Sequence, residues 1–261
     1  MEETMKKSHL LPCTIFALVI LAGCSAKPAP VDTITASVPD PVITPGPLAT
    51  TAENTETVTA ADTDSASGPV EESGKLTGQP IVWLGDSLTQ GSLGDKDDNL
   101  ENAPYERLKS LVDVPVFGLG EYGHTTHEVL WEYCDSDHYD QAADPDKTYI
   151  FWLGSNDWVT GDGANSDTKP VIDEIDGFLD AYDGAIRNYI VIGTTSRYEI
   201  GDHYIDINKD LADHYGEHYL DVIDIIDKYG YVEDKTHLTQ ASYDAVADAV
   251  FEKLKELKYI Y

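Results

Sequence analysis

Pro80-Ile81-Val82-Trp83-Leu84-Gly85-Asp86-Ser87-Leu88-Thr89-Gln90-Gly91 is the stretch on which the reading of this chain turns. Its first part is apolar without interruption, as a strand covered on both faces must be. Gly85 then opens a short polar turn. A Ser just past the carboxyl end of a first strand is where an exposed nucleophile belongs. The glycines on either side allow a tight turn and the close approach of a substrate. The same residues also suit a plain turn in which Ser87 caps a helix, so the segment has to be weighed with the rest of the chain.

Moving outward, short apolar runs alternate with helical stretches. Asn102 to Val112 reads as a helix with Tyr105, Leu108 and Leu111 on one face, and Val114 to Leu119 as a second strand. Thr126 to Cys134 is helical, and Thr148 to Leu153 is a third strand. Val171 to about Ile186 is helical, followed by a fourth strand at Tyr189 to Gly193. A helix at Ile207 to Tyr215 precedes a short fifth strand at Tyr219 to Val222. Thr239 to Leu257 is a final helix whose buried face carries Val246, Val250, Leu254 and Leu257. Apolar strands each followed by a helix imply a parallel sheet with helices on both faces. In such sheets the reactive loops gather at the carboxyl ends of the strands.

Three further loops carry chemistry. Asp234-Lys235-Thr236-His237 precedes the last helix. A carboxylate three residues before a His can fix its tautomer and leave the other ring nitrogen free to accept a proton from Ser87. Two polar loop residues before an N-cap at Thr239 is the plainer alternative. The third strand ends in Gly154-Ser155-Asn156-Asp157, where an Asn amide can donate to a developing oxyanion. After the second strand, Gly120-Glu121-Tyr122-Gly123-His124 offers a Gly amide for the same purpose. Each such donor can be worth about 3 kcal/mol to a tetrahedral intermediate.

These blocks, in this order, resemble the SGNH (GDSL) hydrolase family: Gly85-Asp86-Ser87-Leu88, Gly123, Gly154-Ser155-Asn156-Asp157 and Asp234-Lys235-Thr236-His237. The resemblance runs from about residue 80 to 258. It implies a flavodoxin-like three-layer α/β/α sandwich with a mostly parallel five-stranded sheet. It implies Ser87 as nucleophile, His237 as general base and Asp234 as its orienting acid. The oxyanion hole would be the Ser87 amide, the Gly123 amide and the Asn156 side chain. No metal or organic cofactor is implied. Asp86, Leu88, His124 and Trp158 are the candidates for lining the substrate pocket, although His124 also suits a surface position and Trp158 a core one. Many relatives carry Asn where this chain has Gly118. The loops after the first and third strands read as short, which would leave the pocket open.

Upstream of this domain the composition changes twice. Lys6 and Lys7 precede an apolar run from Leu10 to Leu21, which closes in Leu21-Ala22-Gly23-Cys24-Ser25. The run is about half the roughly 20 residues of a membrane span, and its end resembles a bacterial lipobox with Cys24 as the acylated residue. Residues 1–23 are therefore expected to be a lipoprotein signal peptide. Residues 24–78 hold seven Pro and no aromatic residue; with too little apolar surface to offset its ordering entropy, this stretch reads as a disordered tether. Residues 79–261 carry every Trp and Tyr and form one domain. With Cys13 and Cys24 accounted for, Cys134 is the one remaining thiol, so no disulfide within a chain is expected.

Charge excludes partners. The chain holds 48 acids against 17 bases, a formal charge of -31, and about -25 of it falls on residues 79–261. Nucleic acid is excluded because phosphate recognition relies on Lys and Arg, and attraction to an anionic membrane surface needs basic patches. Membrane attachment would thus come from lipid on Cys24, on the outer face of the cytoplasmic membrane. A monomer is expected. His214-Tyr215-Gly216-Glu217-His218 matches an inverted zinc-protease motif, but Gly216 stands where the helix should stop. Asp95, Asp97, Asp98 and Asn99 crowd one loop without the Gly of a calcium loop. The expected activity is hydrolysis of short-chain, O-acetyl esters on carbohydrate. A lysophospholipase or lipid esterase is the alternative, and a non-catalytic binding module on the same fold is the alternative of another class.

Overall fold

The structure is a computed structural model and describes residues 76–95, 100–135, 137–160, 163–164, 167–181 and 186–261. The expected signal peptide and almost all of the expected tether lie outside the described residues, as do Asp97, Asp98 and Asn99 of the acidic loop.

Five strands form one parallel sheet: β1 (Ile81–Asp86), β2 (Val116–Glu121), β3 (Thr148–Trp152), β6 (Tyr189–Ile192) and β7 (Tyr219–Leu220). Their spatial order is β2-β1-β3-β6-β7, and every pairing is parallel. The helices are α1 (Ser87–Gln90), α2 (Pro104–Leu111), α3 (Thr126–Cys134), α4 (Lys169–Asp180), α5 (His203–Tyr215), α6 (Ile223–Tyr229) and α7 (Gln240–Glu256). β4 (Val159–Thr160) and β5 (Gly163–Ala164) make a small antiparallel hairpin between β3 and α4.

The three layers follow from the two-residue period of a strand. Val82 and Leu84 of β1, Tyr149 and Phe151 of β3, and Val191 of β6 point into one core with residues of α3, α4 and α5. Their neighbours Ile81, Trp83, Ile150, Trp152 and Ile190 point into the other, which α2, α6 and α7 cover. Because both faces are covered, β1 and β3 are buried at every position. A one-residue slip of either strand would exchange Trp83 and Trp152 for smaller residues in the second core.

The alternation expected from the sequence is present, with shifted boundaries. α4 ends at Asp180, short of Ile186, and α5 starts at His203, ahead of Ile207. α3 spans the expected residues because Thr125 builds a complete capping box with Glu128. Two elements went unread: α6, and the β4–β5 hairpin. The hairpin corrects the expectation of a short loop after the third strand, since the connection from Trp152 to Lys169 folds on itself. The domain also starts earlier than residue 79. Leu76 bridges to Val112, Gly78 bridges to Ile260, and the Thr77 amide donates to the Tyr261 carbonyl at 2.9 Å. At Gly118 a Cβ would collide with the Tyr105 ring of α2.

Candidate active site

β1 is the second strand from one edge, flanked by β2 and β3, so the loops at their carboxyl ends converge. Ser87 is the first residue of α1, directly after the strand. The Asp86 carboxylate caps this turn by accepting from the Leu88 amide at 2.9 Å. Gly85 has no room for a side chain, since a Cβ would meet Thr89 Oγ1 and the Trp152 carbonyl. The turn that presents Ser87 therefore lies pressed against β3.

The loop before α7 supplies the partner. His237 Nε2 lies 2.9 Å from Ser87 Oγ, and its Nδ1 lies 2.6 Å from Asp234 Oδ2. The other carboxylate oxygen of Asp234 accepts from the His237 amide at 2.9 Å and the Thr236 amide at 2.8 Å. With Nδ1–H facing a carboxylate, Nε2 is the ring nitrogen left to accept the Ser87 proton. Burial alone would raise the Asp234 pKa, but the hydrogen bonds from the His237 ring and the two amides outweigh it and hold the group below the usual carboxylate range. Lys235 adopts a positive φ of 58°, the tight bend that folds Asp234 back onto its own loop. His237 is 4% exposed, and the Tyr122 ring stacks on it at 5.3 Å. The sequence motifs give Tyr122 no role; only its place one residue before Gly123 pointed toward the site.

On the other flank, Asn156 Nδ2 donates to the His124 carbonyl at 2.8 Å. This bond draws the Asn156 loop against the His124–Thr125 peptide, one residue past Gly123, and leaves the second Nδ2 hydrogen available. Gly123 has a φ of +79°, and nothing lies within 4 Å of where a Cβ would sit. It is required for its dihedral, not for space. Asp157 ties the same loop to α3 by accepting from the Thr126 amide at 2.8 Å and the Thr126 hydroxyl at 3.0 Å. The structure thus brings Ser87, His237 and Asp234 into one hydrogen-bonded line, and sets Asn156 on the carbonyl of His124, the residue after Gly123.

The candidates for the pocket wall fare differently. Leu88 and Trp158 are buried in the two cores at 2% and 0% exposure, so neither lines an open pocket. Asp86 is buried below Ser87, where burial pushes its pKa up to about 7 against the pull of the Leu88 amide and the Arg197 charge. His124 faces Glu132 of α3, with Nδ1 3.5 Å from the carboxylate. Ligand atoms of Glu121, His124 and Glu132 lie within 4.8 Å of one another, the one such group among the described residues that could hold a metal ion. The zinc-protease motif does not assemble. Gly216 ends α5 at a φ of +55°, His214 pairs with Asp176, and His218 faces the Tyr189 carbonyl and the Tyr259 hydroxyl. His127 pairs with Glu174 on the surface.

Among solved structures, the chain is similar to a member of the lipolytic protein G-D-S-L family from Veillonella parvula. The TM-score is 0.53 at 18% identity, covering 66% of this chain and 96% of that one. The fold is that of the G-D-S-L lipolytic proteins. A lipase/acylhydrolase from Enterococcus faecalis aligns equally well, with a TM-score of 0.52 at 18% identity over 68% of this chain and 96% of the other. No family model matches the sequence, and no curated protein matches it. At this identity the likeness establishes the architecture of the G-D-S-L proteins, and the argument for chemistry rests on the residues of the site.

Proposed function

We propose that the protein is a serine hydrolase that cleaves carboxylic esters through an acyl-enzyme. The observation that carries this reading is the continuous line Asp234–His237–Ser87, at 2.6 and 2.9 Å, beside amide donors on two neighbouring loops. Ser87 Oγ attacks the ester carbonyl while His237 Nε2 takes its proton. Asp234 remains a carboxylate and supports the imidazolium that forms. The Ser87 amide, the Gly123 amide and Asn156 Nδ2 receive the negative charge on the carbonyl oxygen. His237 then protonates the departing alcohol, the acyl group stays on Ser87, and water activated by His237 releases the acid.

Short acyl groups on carbohydrate are the substrate class we favour. Leu88 and Trp158, the apolar residues of the motif loops expected to line the pocket, are taken up in core packing. That leaves less apolar wall for a long chain. The Tyr122 ring beside His237 is the kind of surface on which a sugar packs. We further propose that the domain is held at the outer face of the cytoplasmic membrane by lipid on Cys24. Replacement of Cys24 by Ala should move the protein from the membrane to the soluble fraction.

The deciding experiment is labelling by a fluorophosphonate together with hydrolysis of p-nitrophenyl acetate, both expected in the wild type and both lost in Ser87→Ala. Absence of labelling and turnover in the wild type would leave a non-catalytic binding module. Profiling acyl chains from C2 to C16, with acetylated xylan and chitooligosaccharide alongside, tests the substrate class. Preference for long chains would favour a lipid esterase instead.

A further inference from the structure

The segment after β6 carries a buried cation that no motif announces. Arg197 is 8% exposed, and its guanidinium spans two loops of the site. Nη1 donates to the Ser155 hydroxyl at 3.0 Å, to the Ser155 carbonyl at 3.3 Å and to Asn156 Oδ1 at 3.4 Å. Nε donates to Glu199 at 3.1 Å. Glu199 in turn accepts from the Thr236 hydroxyl at 2.8 and 2.6 Å, and the Tyr198 amide donates to the Lys235 carbonyl at 3.1 Å. Thr236 stands between Lys235 and His237, and its own amide binds Asp234. An unbroken path therefore runs from Asn156 through Arg197, Glu199 and Thr236 to the loop of Asp234 and His237.

We propose that Arg197 is a positioning residue that fixes the donor geometry of Asn156 and couples the oxyanion side of the site to the loop of the catalytic acid and base. An Asn side chain has two nearly isosteric ends, and only one of them donates. A guanidinium against Oδ1 excludes the flipped amide, which would set NH2 against N–H. With the His124 carbonyl taking one Nδ2 hydrogen, the second has a defined direction. The cation also polarises the amide and strengthens that hydrogen as a donor. Arginine suits the place because its planar fork serves Ser155, Asn156 and Glu199 at once, which a lysine ammonium on a flexible stem cannot do. The Ser155 position of the Gly154 block thereby acquires a purpose as an anchor for the guanidinium.

This inference rests on the esterase reading, and the test separates the two. With wild type and Ser87→Ala as references, Arg197→Met and Arg197→Lys are assayed for kcat and KM on p-nitrophenyl acetate, singly and combined with Asn156→Ala, with thermal melts as a check of fold. Arg197→Met should lower kcat about 10- to 100-fold and leave KM within about twofold, since the lost interaction acts in the transition state. Arg197→Lys should recover little of the loss. In the Asn156→Ala background the same substitution should change kcat by less than about threefold, because both act through one donor. A loss that adds in full to that of Asn156→Ala, full activity in Arg197→Lys, or a raised KM at unchanged kcat overturns the inference. An inactive wild type overturns the esterase reading and the inference with it. Should Arg197→Met fail to fold, Thr236→Val tests the coupling without touching a charge. A fall in kcat of about five- to tenfold at constant KM supports it, and an unchanged kcat overturns it.

Discussion

Two Asp-x-x-His pairs stand in this domain with the same spacing, Asp135 with His138 and Asp234 with His237. In both, the carboxylate reaches Nδ1 across three residues, at 2.8 Å in the first and 2.6 Å in the second. The first pair sits at the exposed end of α3, with the His138 side chain 42% exposed and edge-on to Trp131. The second is sealed beneath Tyr122, with the His237 side chain 5% exposed and Nε2 on Ser87. Spacing therefore makes the pair, while burial and a third partner give it chemistry. In water the carboxylate competes with solvent for the ring. The enclosure at the second pair is that of the ring, since the Asp234 side chain is itself 37% exposed against 23% for Asp135; two backbone amides fix the Asp234 carboxylate.

The largest test of this contrast is loss of the ring. His237→Ala should lower kcat by about 10⁴- to 10⁶-fold, and Ser87→Ala should do no more than that, because the residues act as a unit. His138→Ala should leave turnover unchanged. Equal losses at both positions would mean that the second pair is not the catalytic one. Removal of the carboxylate charge comes next. Asp234→Asn should cost about 10²- to 10⁴-fold in kcat by favouring the wrong tautomer, and Asp135→Asn should cost nothing. Asn156→Ala, which deletes a donor and no part of either pair, should cost about 10²- to 10³-fold in kcat with little change in KM.

These ranks also explain what was legible in the chain. The strands could be read because β1 and β3 carry unbroken apolar runs, Ile81 to Leu84 and Tyr149 to Trp152, and the final helix because its apolar face repeats over 17 residues. Ser87 was legible because it stands in the turn directly after an apolar strand, and Asp234 with His237 because an Asp-x-x-His runs up to the N-cap of the final helix. Arg197 was not, because it belongs to no motif and reaches the site from a connection after the fourth strand. Its role exists only once β6 is laid beside β3. α6 was missed because seven residues give less than two helical turns of periodicity, although Gly230 after Tyr229 is the stop signal that marks its end. Leu88 was misplaced, and Trp158 left between pocket and core, because proximity to a motif says nothing about which way a side chain turns. Leu88 falls on the core side of a one-turn helix.

A carboxylate with no histidine sharpens the comparison in a stability experiment. Asp86 is buried, and its pKa rises to about 7 from 3.8. Between those values the folded protein holds a proton that the unfolded chain has released, so stability falls as pH rises from about 4 to about 7 and levels off above. The full difference is on the order of 4 kcal/mol if no other group compensates. Asp86→Asn keeps the oxygen that caps α1 and removes the titration, so its unfolding free energy should change less over this range than that of the wild type. Denaturation at pH 5 and pH 8 measures this, and equal pH dependence in both proteins would refute it. Asp234 has the opposite sign. Its pKa is lowered, so its contribution is fully present above the ordinary carboxylate value and is lost as pH falls from there through the lowered one.

The smallest effect belongs to the exposed pair. The hydrogen bond to Asp135 raises the His138 pKa, so any stabilisation is complete below the ordinary His value and disappears as pH rises through the raised one. The ring is open to water, where an ion pair contributes little, and Asp135→Asn should shift the melting temperature by no more than about 1 °C at pH 6. The same substitution should bring the NMR titration of His138 back toward about 6.5. A change in turnover accompanying that shift would show that the two pairs communicate. An unchanged rate would confine the effect of the shared spacing to the ring it touches.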